Sequence, residues 1–231
     1  MSIRRSEEGA TMTGHLNLPD TASVANKGEG DKLIAPSAAR NLAPLCDLLD
    51  HVAPRAGRAL EIASGTGQHV AAFAARFPDL QWQPTEPDAA RRASIDAHAG
   101  ESGCANIAPA LELDACTPGW GARMQGQDLI VVINLLHLVP MDWVEVLIAE
   151  AARALSPGGR FVIYGPFMRA GELTSAGDEA FHASLAAQDP RIGYKDDFDV
   201  IELLQSAGLD LAEVVEMPAN NLALIAEKPS F

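Results

Sequence analysis

Short apolar runs alternate with amphipathic segments along most of this chain, and the alternation predicts its secondary structure. In the amphipathic segments the apolar residues recur at helical spacing, as Val70, Phe73, Ala74 and Phe77 do. We predict helices over 37–52, 68–77, 87–99, 141–155, 178–188 and 198–207. We predict strands over 58–64, 80–86, 107–114, 128–136, 160–166, 209–217 and 221–227.

The order of these elements predicts the fold. Strand and helix alternate up to residue 166, which is typical of right-handed crossovers in a doubly wound parallel sheet. Only Pro218, Ala219 and Asn220 separate the last two strands, too few residues for a crossover helix, so these strands must be antiparallel. We predict an α/β, Rossmann-like, doubly wound seven-stranded sheet, mostly parallel with a C-terminal antiparallel hairpin. Pro44 within the first helix predicts a kink or a late start.

Length and composition indicate one domain that binds a small molecule. Residues 1–30 are polar and without periodicity, so we predict a flexible N-terminal tail followed by a single domain over 31–231. The 31 acidic and 17 basic side chains give a formal charge of -14, which disfavours nucleic acid and membrane surfaces as partners and favours a small-molecule acceptor. The sequence leaves the oligomeric state open.

Features that the sequence lacks lead to predictions about the cellular compartment and about metal binding. The chain lacks both an apolar run of about 20 residues and a secretory signal, which predicts a cytoplasmic protein. Its three cysteines have no metal-like spacing, so we predict no metal site.

Glycines and polar residues follow four successive predicted strands, at the edge where an open parallel sheet binds its ligands. Gly65 and Gly67 follow the first strand and permit a tight turn in front of a helix. Glu86 ends the second strand, where an acidic residue binds a ribose diol. Asp114 ends the third strand and is suited to an adenine amino group, while Asn134 lies in the fourth among apolar neighbours. Together these positions predict a nucleoside-binding site.

A dinucleotide such as NAD is the main alternative ligand for such a site. Its fingerprint, G-x-G-x-x-G, needs a third glycine for close packing of the helix. That position is Val70 in this chain, which disfavours a dinucleotide and favours a nucleoside without a pyrophosphate.

Two motifs resemble those of the class I S-adenosylmethionine-dependent methyltransferases. Residues 61–67 (EIASGTG) resemble the glycine-rich first motif of that class, and residues 155–160 (LSPGGR) resemble its Leu-x-Pro-Gly-Gly turn. The terminal hairpin is a further resemblance, because it distinguishes that fold from dehydrogenases. Other strings are similar to a narrower group that includes methyltransferase-like protein 26, namely 36–41 (PSAARN), 61–69 (EIASGTGQH), 82–84 (WQP), 164–167 (YGPF) and 218–221 (PANN).

The resemblance implies a Rossmann-like fold and S-adenosyl-L-methionine as the cofactor, but it supplies no methyl acceptor. Two strings depart from the narrower group. Thr85-Glu86 stands where a serine and an aspartate are expected, and residues 192–196 (IGYKD) vary a Trp-Gly-x-Arg-Asp pattern.

The strand ends and the first helix supply the predicted cofactor-binding residues. These are Arg40, Asn41, Glu61, Ala63, Ser64, Gly65, Thr66, Gly67, Glu86, Asp114, Ala115, Asn134 and Leu135. Arg40 and Asn41 are suited to the methionyl carboxylate through a charge-assisted bond, and an exposed helix arginine is the alternative.

Candidate residues for the acceptor and for catalysis follow the later strands. His137 has a pKa suited to proton transfer, and Tyr164 ends a strand beside the predicted site. Phe167, Asp189 and Asn220 are candidates for binding the substrate. For each of these residues a structural role in the core, a turn or a solvated loop is the alternative.

Three functions fit a site of this kind. The first is methyl transfer to O, N, C or S of a small molecule. The second is another reaction of the sulfonium, such as elimination or rearrangement. The third is binding of the cofactor without catalysis.

Overall fold

The computed structural model describes residues 24–230 and shows an α/β fold. Its strands are β1 (Asn26–Lys27), β2 (Leu33–Ile34), β3 (Gly57–Ile62), β4 (Leu80–Pro84), β5 (Gln127–Ile133), β6 (Leu155–Met168), β7 (Lys195–Asp196), β8 (Asp210–Met217) and β9 (Asn221–Glu227). Its helices are α1 (Pro36–Val52), α2 (Gln68–Arg76), α3 (Ala89–Ser102), α4 (Trp120–Arg123), α5 (Met141–Ala154), α6 (Ala176–Gln188) and α7 (Asp197–Ser206).

The main sheet has the order β4-β3-β5-β6-β9-β8, and β7 pairs with the end of β6. β3 pairs in parallel with β4 and β5, and β5 pairs in parallel with β6. β9 is antiparallel to both β6 and β8, which confirms the predicted mostly parallel sheet with a C-terminal hairpin. Because the chain moves outward from β3 to β4 and then returns to β5 on the other side, the strand order reverses between β3 and β5.

Helices cover both faces of this sheet. Leu45 of α1, Phe73 of α2 and Ile95 of α3 are fully buried against one face. Leu147 of α5 and Leu204 of α7 are fully buried against the other. Each such side chain contributes roughly 1.5–3 kcal/mol on burial, so the two apolar layers hold the strand ends in place.

The predicted strand over 107–114 is wrong. The segment makes only isolated bridges to its neighbour, between Ile107 and Trp82 and between Leu111 and Thr85. Pro109 in the segment and Pro84 in β4 have no N–H group, so a continuous hydrogen-bond ladder cannot form between them. The seventh strand of the sheet is instead the two-residue β7.

Two further boundaries differ from the prediction. α1 begins at Pro36 and runs through Pro44, so a late start of this helix is wrong. β6 begins at Leu155 rather than at residue 160, and the turn at residues 156–159 forms an irregularity inside the strand. Gly158 donates to the Lys228 carbonyl there at 2.7 Å, which ties the turn to the chain after β9.

The N-terminal part of the described chain is ordered around a small pair of strands. β1 and β2 are antiparallel, and the predicted boundary at residue 31 falls between them. The rest of the predicted tail, residues 1–23, lies outside the described residues.

Candidate functional site

Two adjoining cavities open at the carboxyl ends of β3 and β5, where the strand order reverses. The first, of about 320 Å³, surrounds the turn after β3, and we name it the glycine-loop cavity. The second, of about 850 Å³, contains the rings of His137, Tyr164, Phe181 and Tyr194 in its wall, and we name it the aromatic cavity. Val24, Ser37 and Asn134 line both.

The turn after β3 owes its shape to three left-handed residues. Ala63, Gly65 and Gly67 have φ angles of 52°, 59° and 89°. A Cβ on Gly65 would have the Arg91 guanidinium 3.6 Å away as its nearest neighbour, so the missing side chain leaves space in the glycine-loop cavity. A Cβ on Gly67 would lie 2.6 Å from the Cα of Ile95, so this glycine instead allows α2 and α3 to pack closely.

Side chains from the neighbouring helices hold this turn. The Gln68 amide oxygen accepts from the Ala35 N–H at 2.6 Å and from the Thr66 hydroxyl at 3.0 Å, which joins the start of α1 to the turn. The Ser94 hydroxyl of α3 donates to the Thr66 carbonyl at 2.8 Å. The backbone of the turn is therefore anchored from two sides.

Two carboxyl groups, Glu61 and Glu86, face the glycine-loop cavity. Glu86 Oε2 accepts from the Gly65 N–H at 3.0 Å and Oε1 accepts from the Asp88 N–H at 3.2 Å, so each oxygen keeps a second lone pair. Its pKa is raised by burial, against the lowering effect of these two backbone donors. Burial raises the pKa of Glu61 to about 8, and the nearby charge of Glu86 adds to the effect.

Three aromatic rings contact one another in the wall of the aromatic cavity. The ring centroids of His137 and Phe181 are 5.8 Å apart, and those of Phe181 and Tyr194 are 6.1 Å apart. His137 lies on the short 3-10 turn after β5 and is buried. Burial, together with the charge of Lys195, lowers its pKa to about 3, so the imidazole is neutral at physiological pH.

A chain of polar side chains reaches the aromatic cavity from its other side. His69 Nε2 lies 2.8 Å from Asn41 Oδ1, and Asn41 also lies close enough to Tyr164 to affect the pKa of its hydroxyl. Burial raises the pKa of Tyr164, and Asn41 opposes that effect. Burial lowers the pKa of His69 to about 4, so this ring is also neutral.

The Asp178 carboxylate fastens the outer wall of the aromatic cavity. It accepts from the Tyr194 hydroxyl at 3.0 Å and from the Asn220 amide at 2.9 Å. It also accepts from the hydroxyls of Thr174 and Ser175 before α6. One carboxylate thus joins the start of α6, the loop before β7 and the turn between β8 and β9.

The structure brings most of the predicted site residues to these cavities. The glycine-loop cavity is lined by Glu61, Ala63, Ser64, Gly65, Thr66, Glu86, Asn134 and Leu135. Arg40 and Asn41 line the aromatic cavity instead, together with both catalytic candidates, His137 and Tyr164.

Three predicted cofactor-binding residues lie outside both cavities. Gly67 is held against Ile95, as described above. Asp114 is exposed and accepts from the Cys116 N–H at 2.9 Å, and Ala115 is buried in the core. The segment that carries Asp114 and Ala115 joins the sheet only through isolated bridges, and its end does not reach the cavities.

None of the three predicted substrate-binding residues lines either of these two cavities. Phe167 is buried in the core on the face of β6 that packs against α5 and α7. Asp189 forms an ion pair with Arg191, two residues away. Asn220 is exposed, and its amide donates a hydrogen bond to the Asp178 carboxylate.

Sequence reasoning missed His69, Phe181 and Tyr194, all of which line a cavity. The available signal for His69 was its position two residues after the glycine loop, at the start of α2. Phe181 and Tyr194 come from α6 and the loop after it, whose placement over the sheet no local pattern indicates.

Two further features are absent from residues 24–230. Within that range the structure contains no cluster of three or more His, Cys, Asp or Glu side chains that could hold a metal ion. No helix in the same range has the length and apolar character that crossing a membrane requires.

A family model described as "protein of unknown function (DUF938)" matches residues 32–228. Among solved structures, an O-methyltransferase family protein from Burkholderia thailandensis is 20% identical with a TM-score of 0.69, and the match covers 84% of this chain and 58% of that one. A putative O-methyltransferase from Nostoc punctiforme PCC 73102 is 18% identical with a TM-score of 0.73, covering 84% and 57%. Human N-acetylserotonin methyltransferase, solved with SAM, is 14% identical with a TM-score of 0.66, covering 84% and 53%.

These likenesses show a Rossmann-like fold shared with methyltransferases. The chain spans less than three-fifths of the length of each of these three proteins.

Proposed function

The chain belongs to the DUF938 family, and we propose that it is a methyltransferase that binds S-adenosylmethionine in the glycine-loop cavity and a small-molecule acceptor in the aromatic cavity. The observation that carries this proposal is the shared wall. Asn134, with a φ of 56° directly after β5, lines both cavities, so ligands in the two meet at this residue.

The residues of the glycine-loop cavity fit the proposed cofactor. Glu61 Oε2 is buried and has no hydrogen-bond partner among residues 24–230, and an unsatisfied buried polar atom costs about 1–3 kcal/mol. A cationic or N–H-bearing ligand would satisfy it. The open space at Gly65 admits a ligand close to the backbone, and the free lone pairs of Glu86 suit a ribose diol.

S-adenosylmethionine supplies a methyl group already activated by its sulfonium when it is bound. The chain's own residues then have to position the acceptor and exclude water. The rings of His137, Phe181 and Tyr194 provide an apolar wall for an acceptor, while Asn134 and Tyr164 provide polar contacts.

The protonation states of the site favour positioning over proton removal. His137, with a pKa lowered to about 3, holds a transferred proton poorly. The pKa of Tyr164 is raised by burial, so its hydroxyl keeps its proton and acts as a hydrogen-bond donor. The site therefore suits an acceptor that is already ionised or that loses its proton after the methyl transfer.

Calorimetric titration with S-adenosylmethionine and with S-adenosylhomocysteine tests the cofactor. We expect both to bind, and Gly65→Asn to weaken both by at least about tenfold, or ~1.4 kcal/mol, because asparagine tolerates a positive φ while its side chain enters the cavity. Gly103→Asn is the matched control, since Gly103 has a φ of 69° and no atom of residues 24–230 lies within 4 Å of its Cβ position.

Turnover separates the possible functions of a protein that binds the cofactor. Release of S-adenosylhomocysteine only when an acceptor is present supports methyl transfer. Breakdown of the cofactor to another product supports elimination, and a cofactor recovered unchanged after turnover supports rearrangement. No binding of either compound to the wild type would refute the cofactor assignment.

Several expectations from the sequence remain predictions within this proposal. They are the single domain over 31–231, the cytoplasmic location, the kinship with the group that includes methyltransferase-like protein 26, and the choice of a small molecule over nucleic acid. The charge of -14 supports the last of these.

A further inference from the structure

The two cavities differ in the charge of their walls. The glycine-loop cavity contains the carboxyl groups of Glu61 and Glu86. The aromatic cavity contains one charged side chain, Arg40, and no carboxylate among its described lining residues. In a chain with 31 acidic and 17 basic residues, a cavity with a cation and no carboxylate favours a ligand with negative charge.

Hydrogen-bond directions around Asn41 determine what Tyr164 offers to that ligand. Asn41 Oδ1 can only accept, so the His69 Nε2 at 2.8 Å must be the donor. The Asn41 amide nitrogen is then left to donate, and the neighbouring Tyr164 hydroxyl, whose pKa Asn41 lowers, is an acceptor available to it. If its oxygen accepts from Asn41, the Tyr164 hydroxyl has its proton to offer to a different partner. Among residues 24–230 no group accepts a hydrogen bond from this hydroxyl, and Tyr164 lines the aromatic cavity.

The apolar part of the wall indicates the shape of the ligand. His137, Phe181 and Tyr194 lie with ring centroids 5.8 to 6.3 Å apart and form one side of the cavity. Aromatic rings at such distances gain additional stability from a further ring packed against them.

We propose that the acceptor is a small aromatic molecule carrying an anionic oxygen, which the Arg40 guanidinium and the Tyr164 hydroxyl bind, and that His69 is a positioning residue that orients Tyr164 through Asn41. This inference rests on the proposed function. It assigns Arg40 and Asn41 to the acceptor rather than to the cofactor carboxylate.

The orientation of Tyr164 can be measured without any ligand. The chain has two tyrosines, so in a Tyr194→Phe background the tyrosinate absorbance reports Tyr164 alone. Because Asn41 lowers the pKa of Tyr164, Asn41→Leu should raise the titration midpoint. His69→Leu should raise it as well, and His69→Gln, whose amide can donate, should restore it. Equal midpoints in all four proteins, with unchanged circular dichroism, would refute the role of His69.

The preference for an anion is tested with three probes of similar size. We would titrate 4-hydroxybenzoate, 4-hydroxybenzamide and tyramine into protein saturated with S-adenosylhomocysteine. We expect the acid to bind at least about tenfold more tightly than the amide, since a hydrogen bond to a charged group is roughly twice as strong as a neutral one. Tyramine, a cation, should bind most weakly.

Variants assign that preference to residues. Arg40→Gln and Tyr164→Phe should each remove most of the difference between acid and amide. Arg123→Gln should keep it, because among residues 24–230 Arg123 bonds only to the carbonyl of Gly119, which caps its own helix, and it lines neither cavity.

Other outcomes would overturn the inference and leave the proposed function standing. These are equal binding of acid and amide, a preference for tyramine, or no binding of any probe to protein that does bind S-adenosylhomocysteine. If Arg40→Gln binds S-adenosylhomocysteine more weakly and keeps the acid preference, Arg40 binds the cofactor carboxylate and not the acceptor. If the wild type binds neither S-adenosyl compound, the proposed function fails, and the Tyr164 titration still decides the role of His69.

Discussion

Gly65 and Gly67 are two residues apart in one motif, but Gly65 leaves space for a ligand whereas Gly67 allows two helices to pack closely. This difference leads to a quantitative prediction. Gly67→Ala should destabilise the fold. Its new Cβ would lie 2.6 Å from the Cα of Ile95, a backbone atom that no side-chain rotation can move away. Relief requires α2 and α3 to separate.

Two costs contribute to the expected loss. An alanine at a φ of 89° costs roughly 1–2 kcal/mol, because a Cβ in the left-handed region crowds the following carbonyl. Overpacking at a buried helix contact adds about 1–3 kcal/mol. The free energy of unfolding should therefore fall by roughly 2–5 kcal/mol, a large part of the ~5–15 kcal/mol of an ordinary domain.

The comparison with Gly103→Ala isolates the packing part. Gly103, after α3, has a φ of 69°, and none of the other described residues places an atom within 4 Å of its Cβ position, so its alanine variant carries only the backbone cost. Urea unfolding followed by circular dichroism gives both values. If Gly67→Ala loses no more stability than Gly103→Ala, the assignment of Gly67 to helix packing is wrong.

Three further predictions concern titration and binding. Glu61 has a pKa raised to about 8, so its contribution to stability is present below 4.5 and is lost as the pH rises towards 8. In urea unfolding the stability of Glu61→Gln relative to the wild type should therefore grow from pH 5 to 8, and a constant difference would contradict the raised pKa. His137 has a pKa lowered to about 3, so its contribution is present above 6.5 and is lost as the pH falls towards 3. In His137→Phe the free energy of unfolding should accordingly depend less on pH below pH 6.5. A pH dependence as steep as that of the wild type would mean that His137 does not contribute to it. Glu86→Ala should weaken adenosine binding in calorimetry by about 1–3 kcal/mol. Glu112 is an exposed carboxylate, so Glu112→Ala should leave that binding unchanged. Equal affinities in the two variants would mean that other residues bind the ribose.

The sequence predicts the fold well where the pattern is local. Apolar runs and helical spacing located the parallel strands β3 to β6 and the helices α2, α3 and α5 between them, but not the short helix α4. The three-residue link before β9 was enough to predict the antiparallel hairpin. The sequence also predicted that the glycine loop and Glu86 lie close together, because strand ends in a parallel sheet gather at one edge, and the structure places them in one cavity.

The errors arose where the outcome depends on distant partners. The segment over 107–114 has an apolar character, but prolines on both sides of the pairing prevented a ladder. Asp114 was consequently assigned to a strand end that does not exist. Phe167 lies three residues from Tyr164, so along β6 it points to the opposite face, and only the placement of α5 and α7 shows that this face is core.

The common wall of Val24, Ser37 and Asn134 has a thermodynamic consequence for the two cavities. A ligand that shifts any of these residues on one side changes the shape that the other side offers to its own ligand. Linkage then requires reciprocity: the factor by which the first ligand alters the affinity of the second equals the factor by which the second alters that of the first. Val24 before α1, Ser37 in its first turn and Asn134 directly after β5 are therefore the places where occupancy of one cavity affects the other.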